Sequence, residues 1–580
     1  MWSIIKKHGV STRTQHSAPL PGGAVYAHNK MKKKAKYLII KDYCKSLGKE
    51  FKGYTAGKFA KDLLAGITVA AVALPLALAF GVSSGATASA GLVTAILAGL
   101  LIGGLSGASY QISGPTGAMT AILVSLVAQY GMQGMLMASF LAGVLLLICG
   151  IFKLGGLVSY LPMPVITGFT SGIAIIIAFG QIGNLTGLTC EGLTTIEKVK
   201  SYFVLEQHFD LTAFLIGAAV IVFMAIYPKK LNQYCPGSLI AIILATAATA
   251  IFKFDVPQVG AIPKSLFLED RLTFSGISMS GMTGLVAPAI SIAALGLIES
   301  LLCGASAGRM KNEKLNADVE LVAQGIGNMI IPLFGGVPAT AAIARTSVAI
   351  KSGGQTRLVS VIHAAVLLLS MFVLGGVMSL IPLSALAGVL IMTAWRMNEW
   401  HAIKNIFHMK IKTAMLQFLI TMAATVIFDL TVAILIGVIF SVFAFVIKVS
   451  DMQVTVAQVD PKRVDEHNAD PAKLDHTCVV YISGPLYFGT CAKLEEKITA
   501  LGENYNIIFS MRGVTIADMS GIEALRDYCE GLVSEGRMCY FSCVQENVMQ
   551  MMERCGFKER FKYDMYFWST DKVFEHISSL

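Results

Sequence analysis

A polytopic α-helical membrane domain followed by a small α/β domain is the architecture this sequence predicts. Three observations carry that reading. The 580 residues are 55% hydrophobic and only 14% charged, where soluble domains carry about a quarter charged residues. Apolar runs of membrane-spanning character recur from about residue 66 to about residue 448. Beyond residue 449 the pattern changes to short β-rich stretches alternating with amphipathic helical ones. The expected domains are a basic cytosolic N-terminal segment at 1–58, a transmembrane domain at 59–449 and a cytosolic domain at 450–580.

The N-terminal segment holds much of the net charge of +10, with Lys32, Lys33, Lys34 and Lys36 clustered. A nucleic-acid arm would have this composition. Directly ahead of a membrane domain it reads as a juxtamembrane cytosolic segment, with no nucleic-acid partner. YLII (37–40) is too short for the apolar core of a cleavable signal peptide. The eleven cysteines are scattered: Cys44, Cys149, Cys190, Cys235 and Cys303 show no metal-ligand spacing. Cys539 and Cys543 fall on MCYFSCV (538–544), a strand pattern, and read as reduced core thiols. No metal or cofactor is expected.

Fourteen apolar segments lie near 66–84, 89–106, 113–129, 134–152, 163–184, 211–227, 237–252, 283–304, 318–333, 339–351, 359–377, 380–394, 412–428 and 431–448. With the N-terminus inside, the even-to-odd connections carry Lys229 and Lys230; Arg309, Lys311 and Lys314; Lys351 and Arg357; and Arg396, Lys404, Lys410 and Lys412. The long outside loops, 190–210 and 253–274, mix acids and bases. This positive-inside pattern puts both termini in the cytosol of a cell-membrane protein.

The third and tenth segments read alike. ISGPTGAMTAILVSL (112–126) and GGVPATAAIARTSVA (335–349) each have a Gly-rich lead, a proline (Pro115, Pro338) and a helix of small residues. They occupy matching places in two halves of seven segments, which makes the repeat inverted. Such paired, interrupted segments point to a transporter's substrate site. A helix beginning inside the membrane leaves its first N–H groups unpaired and its positive dipole end exposed, so two facing starts attract an anion. Arg345 adds a full charge on the first turns of one helix. Ser113, Thr116, Thr340 and Thr346 offer hydroxyls. The small residues Gly114, Gly117, Ala341 and Ala344 let the backbone approach a ligand closely.

An intramembrane charge is expensive and usually functional, so Arg345 is expected to face a bound anion; a buried ion pair that only locks the fold is the alternative. Glu299, the single acid of APAISIAALGLIESLLCG (287–304), is expected to carry the coupling ion, H+ or Na+, or to serve as a static partner for Arg345. Asp429 reads as interfacial. Pro75, in GITVAAVALPLALAFGVSSG (66–85), predicts a kink opening space opposite the half-helices, with Phe80 either walling the site or packing.

In the terminal domain, 476–489, 506–513 and 538–544 read as strands. Residues 520–536, 546–556 and 570–580 read as helices. Ser520 is expected as N-cap of the first helix, with Glu523 completing a capping box. In ADMSGIEAL (517–525) the same serine is a candidate regulatory phosphorylation site.

Taken together the chain resembles the SulP, or sulfate permease, family of anion transporters. The resemblance rests on AGITVAAVALPLALAFGV (65–82), YQISGPTGAMTAI (110–122), GLIESLLCG (296–304), LVAQGIGNMIIPLFGGVPATAAIARTSVAIKSGG (321–354) and the ADMSG phrase of a C-terminal STAS domain. It implies fourteen spans as a 7+7 inverted repeat, a core domain holding substrate between the third and tenth helices, and a gate domain. It also implies a homodimer and a STAS domain that can meet a cytosolic partner. Family members carry sulfate, bicarbonate, chloride or small dicarboxylates, driven by H+ or Na+ or by exchange. Leu76 stands where many members have glutamine, and Cys303 where a threonine would offer oxygen to Na+. With Glu rather than Asp at 299, this favours proton coupling. Met519 departs from the phosphoserine motif of related regulators. No nucleophile–base set, nucleotide phosphate loop or zinc signature suggests an enzyme. A secondary active anion transporter is the leading reading, with a channel and an anion-sensing membrane protein as alternatives. Nothing supplies a second cation for a distal carboxylate, which favours a small inorganic anion over a dicarboxylate.

Overall fold

The computed structural model describes residues 41–580 except 157–160, 189–196, 198–199, 202–208, 229–235, 275–278, 429, 450–451, 460–470, 475, 500–505 and 562. The N-terminal lysine cluster, Cys190, Cys235, Lys229, Lys230 and Asp429 lie outside the described residues. The chain divides into two compact units, Met1–Val438 and Ile439–Leu580.

In the first unit, helix α1 (Ala56–Ser83) begins behind Thr55, whose hydroxyl caps Lys58 N, and continues through Pro75 without interruption. Helix α2 (Ala88–Leu97) is capped by Thr87 and runs into a π-helical turn, Ala98–Ile102. The two-residue strand β1 (Ser113–Gly114) leads into α3 (Gly117–Ile151), which is broken at Gly131, where φ is 68°. Only glycine adopts that conformation without strain. The third and fourth apolar segments therefore share one interrupted helix.

Then come α4 (Met163–Gly180), α5 (Leu211–Ile226), α6 (Gly237–Phe252), α7 (Met279–Lys311) and α8 (Ala317–Ile330). Strand β2 (Thr340–Ala341) precedes the short helix α9 (Ile343–Lys351). Helices α10 (Leu358–Met378), α11 (Leu383–Met397), α12 (Trp400–His408) and α13 (Lys412–Ile427) follow, and α14 (Leu430–Val449) runs from the first unit into the second. The apolar segments fall largely on helices, with the third and tenth beginning on β1 and β2. Among the described residues, six helical stretches are long and apolar enough to cross a membrane, and Leu211–Ile226, Gly237–Phe252, Lys412–Ile427 and Leu435–Val449 are shorter apolar helices. Helix α12 was not foreseen: its residues read in the sequence as a plain basic connection.

The second unit holds a five-stranded sheet in the order β3 (Gln453–Gln458), β4 (Thr477–Ser483), β5 (Asn506–Gly513), β6 (Cys539–Ser542), β7 (Tyr566–Phe567). The β3–β4 pair is antiparallel and the other three are parallel. Strands β4, β5 and β6 are buried along most of their length, as their Val, Ile and Phe runs require. Helices α15 (Cys491–Thr499), α16 (Met519–Ser534), α17 (Glu546–Arg554) and α18 (Thr570–Ser579) complete it.

Two local expectations are corrected here. The N-cap of α16 is Asp518, not Ser520: the Asp518 carboxylate accepts from Gly521 N at 2.8 Å. An aspartate caps at least as well as a serine and adds charge at the helix dipole's positive end. Ser520 is exposed in the first turn, with its hydroxyl unused by the cap. Cys539 is a core thiol, but Cys543 sits half-buried past the strand end, where its Sγ donates to Trp568 O. Burial pushes the neighbouring Cys529 thiol well up, with Cys539 adding to the effect. The buried Cys529 thiol therefore stays protonated and unreactive.

Candidate anion site

Strands β1 and β2, read in the sequence as the leads of two half-helices, pair with each other. They are antiparallel, with Ser113 opposite Ala341 and Gly114 opposite Thr340. Ala342 N donates to Ile112 O at 2.9 Å and extends the ladder by one rung. All four strand residues are buried. A strand pair inside an apolar unit satisfies backbone groups that lipid could not, and it brings the starts of α3 and α9 together.

Neither helix start carries a side-chain cap. Thr116 is the N-cap of α3, yet its Oγ1 donates to Glu299 Oε2 at 3.0 Å instead of accepting from the first turn. The first N–H groups are thus left to a ligand or water.

Arg345 lies on the first turn of α9 and is 1% exposed. Its Nη2 donates to Pro115 O on the opposite half. Its Nη1 is buried with no hydrogen-bond partner. Gly114 makes the approach possible, because a Cβ there would strike Nη1. Among the described residues no acid lies within ion-pair distance of Arg345. A buried guanidinium with an unsatisfied nitrogen is costly.

Phe80, 5% exposed, packs at the start of α3: a Cβ on Gly117 would lie 3.1 Å from its Cε1. Ile177 of α4 closes the same corner, and nothing in the sequence singled it out. Ala344 is exposed at the α9 start. The hydroxyls divide differently from expectation. Ser300 Oγ and Thr340 Oγ1 are hydrogen-bonded to each other at 2.7 Å, with either one donating. Ser113 Oγ accepts from Gln324 Nε2 at 3.2 Å, and Thr346 Oγ1 accepts from Ile112 N at 3.1 Å. The Thr340, Ser113 and Thr346 hydroxyls thus hold the frame, leaving Thr116 as the expected hydroxyl tied to Glu299.

The frame itself depends on residues the sequence reading passed over. Glu320, Gln324 and Asn328 stand four apart on one face of α8 and are all buried. Ser106 Oγ and Gly107 N donate to Glu320 Oε2 at 2.6 and 3.0 Å, and Gln324 Nε2 donates to its Oε1 at 2.9 Å. Asn328 accepts from Ala339 N at 2.7 Å and donates to Ala339 O at 2.9 Å. One helix face thus positions β1 through Gln324 and the lead of β2 through Asn328. The signal was present: three polar residues at helical spacing in an otherwise apolar run.

The connection after α9 is also secured. Asp62, fully buried, accepts from Gln355 N, Thr356 N and Thr356 Oγ1. Arg357, counted from the sequence among the charges of a cytosolic connection, is buried and ion-paired with Glu50 at 2.8 Å. The sequence showed no acid nearby because Glu50 arrives from more than three hundred residues away.

Comparison with known proteins places these features in context. The sequence profile of the sulfate permease family matches residues 59–424, and that of the STAS domain matches residues 468–579. YvdB of Bacillus subtilis, whose name carries a provisional assignment to sulfate transport, is 36% identical over 77% of this chain and 84% of its own. The bicarbonate transporter BicA of Picosynechococcus sp. is 28% identical over 89% of this chain and 94% of its own. Among solved structures, the transmembrane domain of a cyanobacterial BicA aligns with a TM-score of 0.60 at 29% identity, covering 67% of this chain and 98% of that one. SLC26A9 aligns with a TM-score of 0.78 at 17% identity over 99% and 98% of the two chains, a likeness of fold.

Proposed function

The chain belongs to the sulfate permease family, and from that premise we propose that it is a secondary active transporter of a small anion of the sulfate or bicarbonate class. The observation that carries the reading is Arg345: a buried guanidinium with one nitrogen unpartnered, held where two uncapped helix starts meet. The anion binds there against Arg345 and the first-turn N–H groups of α3 and α9, with Gly114, Gly117, Ala341 and Ala344 allowing close approach and Phe80 forming a wall. The anion crosses chemically unchanged, so no catalytic step is involved.

Glu299 carries the coupling proton. It lies one hydroxyl, Thr116 Oγ1, from the start of α3, so its protonation is felt at the anion's backbone donors. Na+ would ask for several oxygens, and Cys303, whose Sγ donates to Thr346 Oγ1, supplies none. The membrane domain at 59–449 works as a 7+7 inverted repeat in a homodimer in the cell membrane, by alternating access, with both termini and the STAS domain in the cytosol. Ser520, exposed on α16, is reachable by a modifying enzyme there.

The test is uptake of labelled sulfate into proteoliposomes under an inward proton gradient, with unlabelled bicarbonate or fumarate as competitors. Proton-driven uptake abolished by Arg345→Ala supports the site, and the blocking competitor identifies the anion class. Uptake driven by Na+ alone would overturn the coupling assignment. Absence of uptake under both gradients would favour a sensor.

A further inference from the structure

Helix α12 is the part of the membrane unit that the transport mechanism leaves unused. It joins α11 to α13 and has no fully buried residue. Its faces are ordered. Ala402, Ile403 and Ile406 are half-buried toward the protein. Trp400 and Phe407, two turns apart, form an exposed aromatic edge, 40% and 38% exposed. Lys404, His401 and His408 follow on the next face and are exposed.

The flanks repeat the pattern. Trp395, 60% exposed, lies against Trp400 with ring centroids 4.6 Å apart, and Trp400 Nε1 donates to Trp395 O at 3.0 Å. Beyond the helix, Met409 and Ile411 alternate with Lys410 and Lys412, all exposed. Across 395–412 there are three lysines, one arginine and two histidines against a single acid, Glu399. Arg396 is already engaged, its Nη2 donating to Met224 O at 2.6 Å. The three lysines meet no partner among the described residues.

We propose that α12 and its flanks form a docking surface for anionic phospholipid headgroups at the edge of the bilayer. A helix with an aromatic edge beside a lysine face lies in the interface plane, its rings at headgroup level. The apolar helices α11 and α13 on either side hold it at that boundary. The rings alone would accept any phospholipid. The lysines, uncompensated by acids, select the anionic ones.

The test uses the full-length chain in nanodiscs, with Trp2→Phe and Trp568→Phe removing the other tryptophans, so that emission comes from Trp395 and Trp400 alone. Quenching is compared between brominated phosphatidylglycerol and brominated phosphatidylcholine at equal mole fraction. The expected result is stronger quenching by the anionic lipid, with an enrichment of about fivefold for each engaged lysine at low salt, declining as salt rises. In the Lys404→Gln, Lys410→Gln, Lys412→Gln variant the preference disappears, while quenching by phosphatidylcholine persists and reports an intact, membrane-seated helix. Equal quenching by both lipids in the parent would overturn headgroup selection. No quenching by either would mean that protein, such as a second copy of the chain, covers the surface.

Discussion

β1 with the start of α3, and β2 with the start of α9, build the same backbone device from similar sequence and then assign it different chemistry. On the first side the helix runs to a break at Gly131, and its start is packed by apolar side chains, Phe80 and Ile177. It contributes backbone donors and one hydroxyl, Thr116. On the second side the helix is only nine residues long, carries Arg345, and is held by polar anchors: Ser300, Asn328 and, past its end, Asp62. Both halves are fastened by hydrogen bonds, through Gln324 to Ser113 on the first side and through Ser300 and Asn328 on the second, but only the second carries a charge. A guanidinium positions an anion only if its own backbone stays in place, and polar contacts in a low-dielectric interior are directional where apolar packing is not.

That asymmetry can be broken at several points. Arg345→Ala should reduce anion uptake by about 100-fold or more, because it removes the buried charge; Arg345→Lys should rescue little, since an ammonium lacks the planar fork that reaches Pro115 O and an anion together. Gly114→Ala tests the uncharged side. Its methyl group would strike Arg345 Nη1, and a displacement near 1 Å should cost about 100-fold in uptake or less, with thermal stability in detergent little altered. Uptake unchanged in that variant would mean that the guanidinium does not work from the position seen here.

Asn328→Leu addresses the anchors. It leaves the Ala339 N–H and C=O without partners, at a cost of about 2 kcal/mol or more, read as a lowered melting temperature. Thr116→Val should leave stability nearly unchanged and lower the proton-gradient stimulation of uptake by a few-fold, a loss confined to coupling. Smallest of all, Asp518→Ala should cost about 1 kcal/mol in the STAS domain and leave uptake unaffected, whereas Ser520→Ala should leave the cap intact. A larger effect of Ser520→Ala on STAS stability would restore serine as the cap.

The sequence by itself determined the parts governed by local rules. Apolar runs against lipid, Gly/Pro-interrupted segments and β-rich stretches alternating with amphipathic ones in the terminal domain each follow from a few consecutive residues, and the helices and strands lie close to where those patterns placed them. The pairing of interest at 113–117 and 340–345 was legible for the same reason, since two similar phrases in corresponding places announce two similar structures. What only the tertiary structure decided were partnerships across long separations. Three of the expected ligand hydroxyls are taken by Ser300, Gln324 and Ile112 N. Arg357 is buried against Glu50, and a polar stripe on α8 clamps both strands. A hydrogen bond or ion pair depends on where two groups meet in space, and no spacing along one segment records which distant group will arrive to satisfy it.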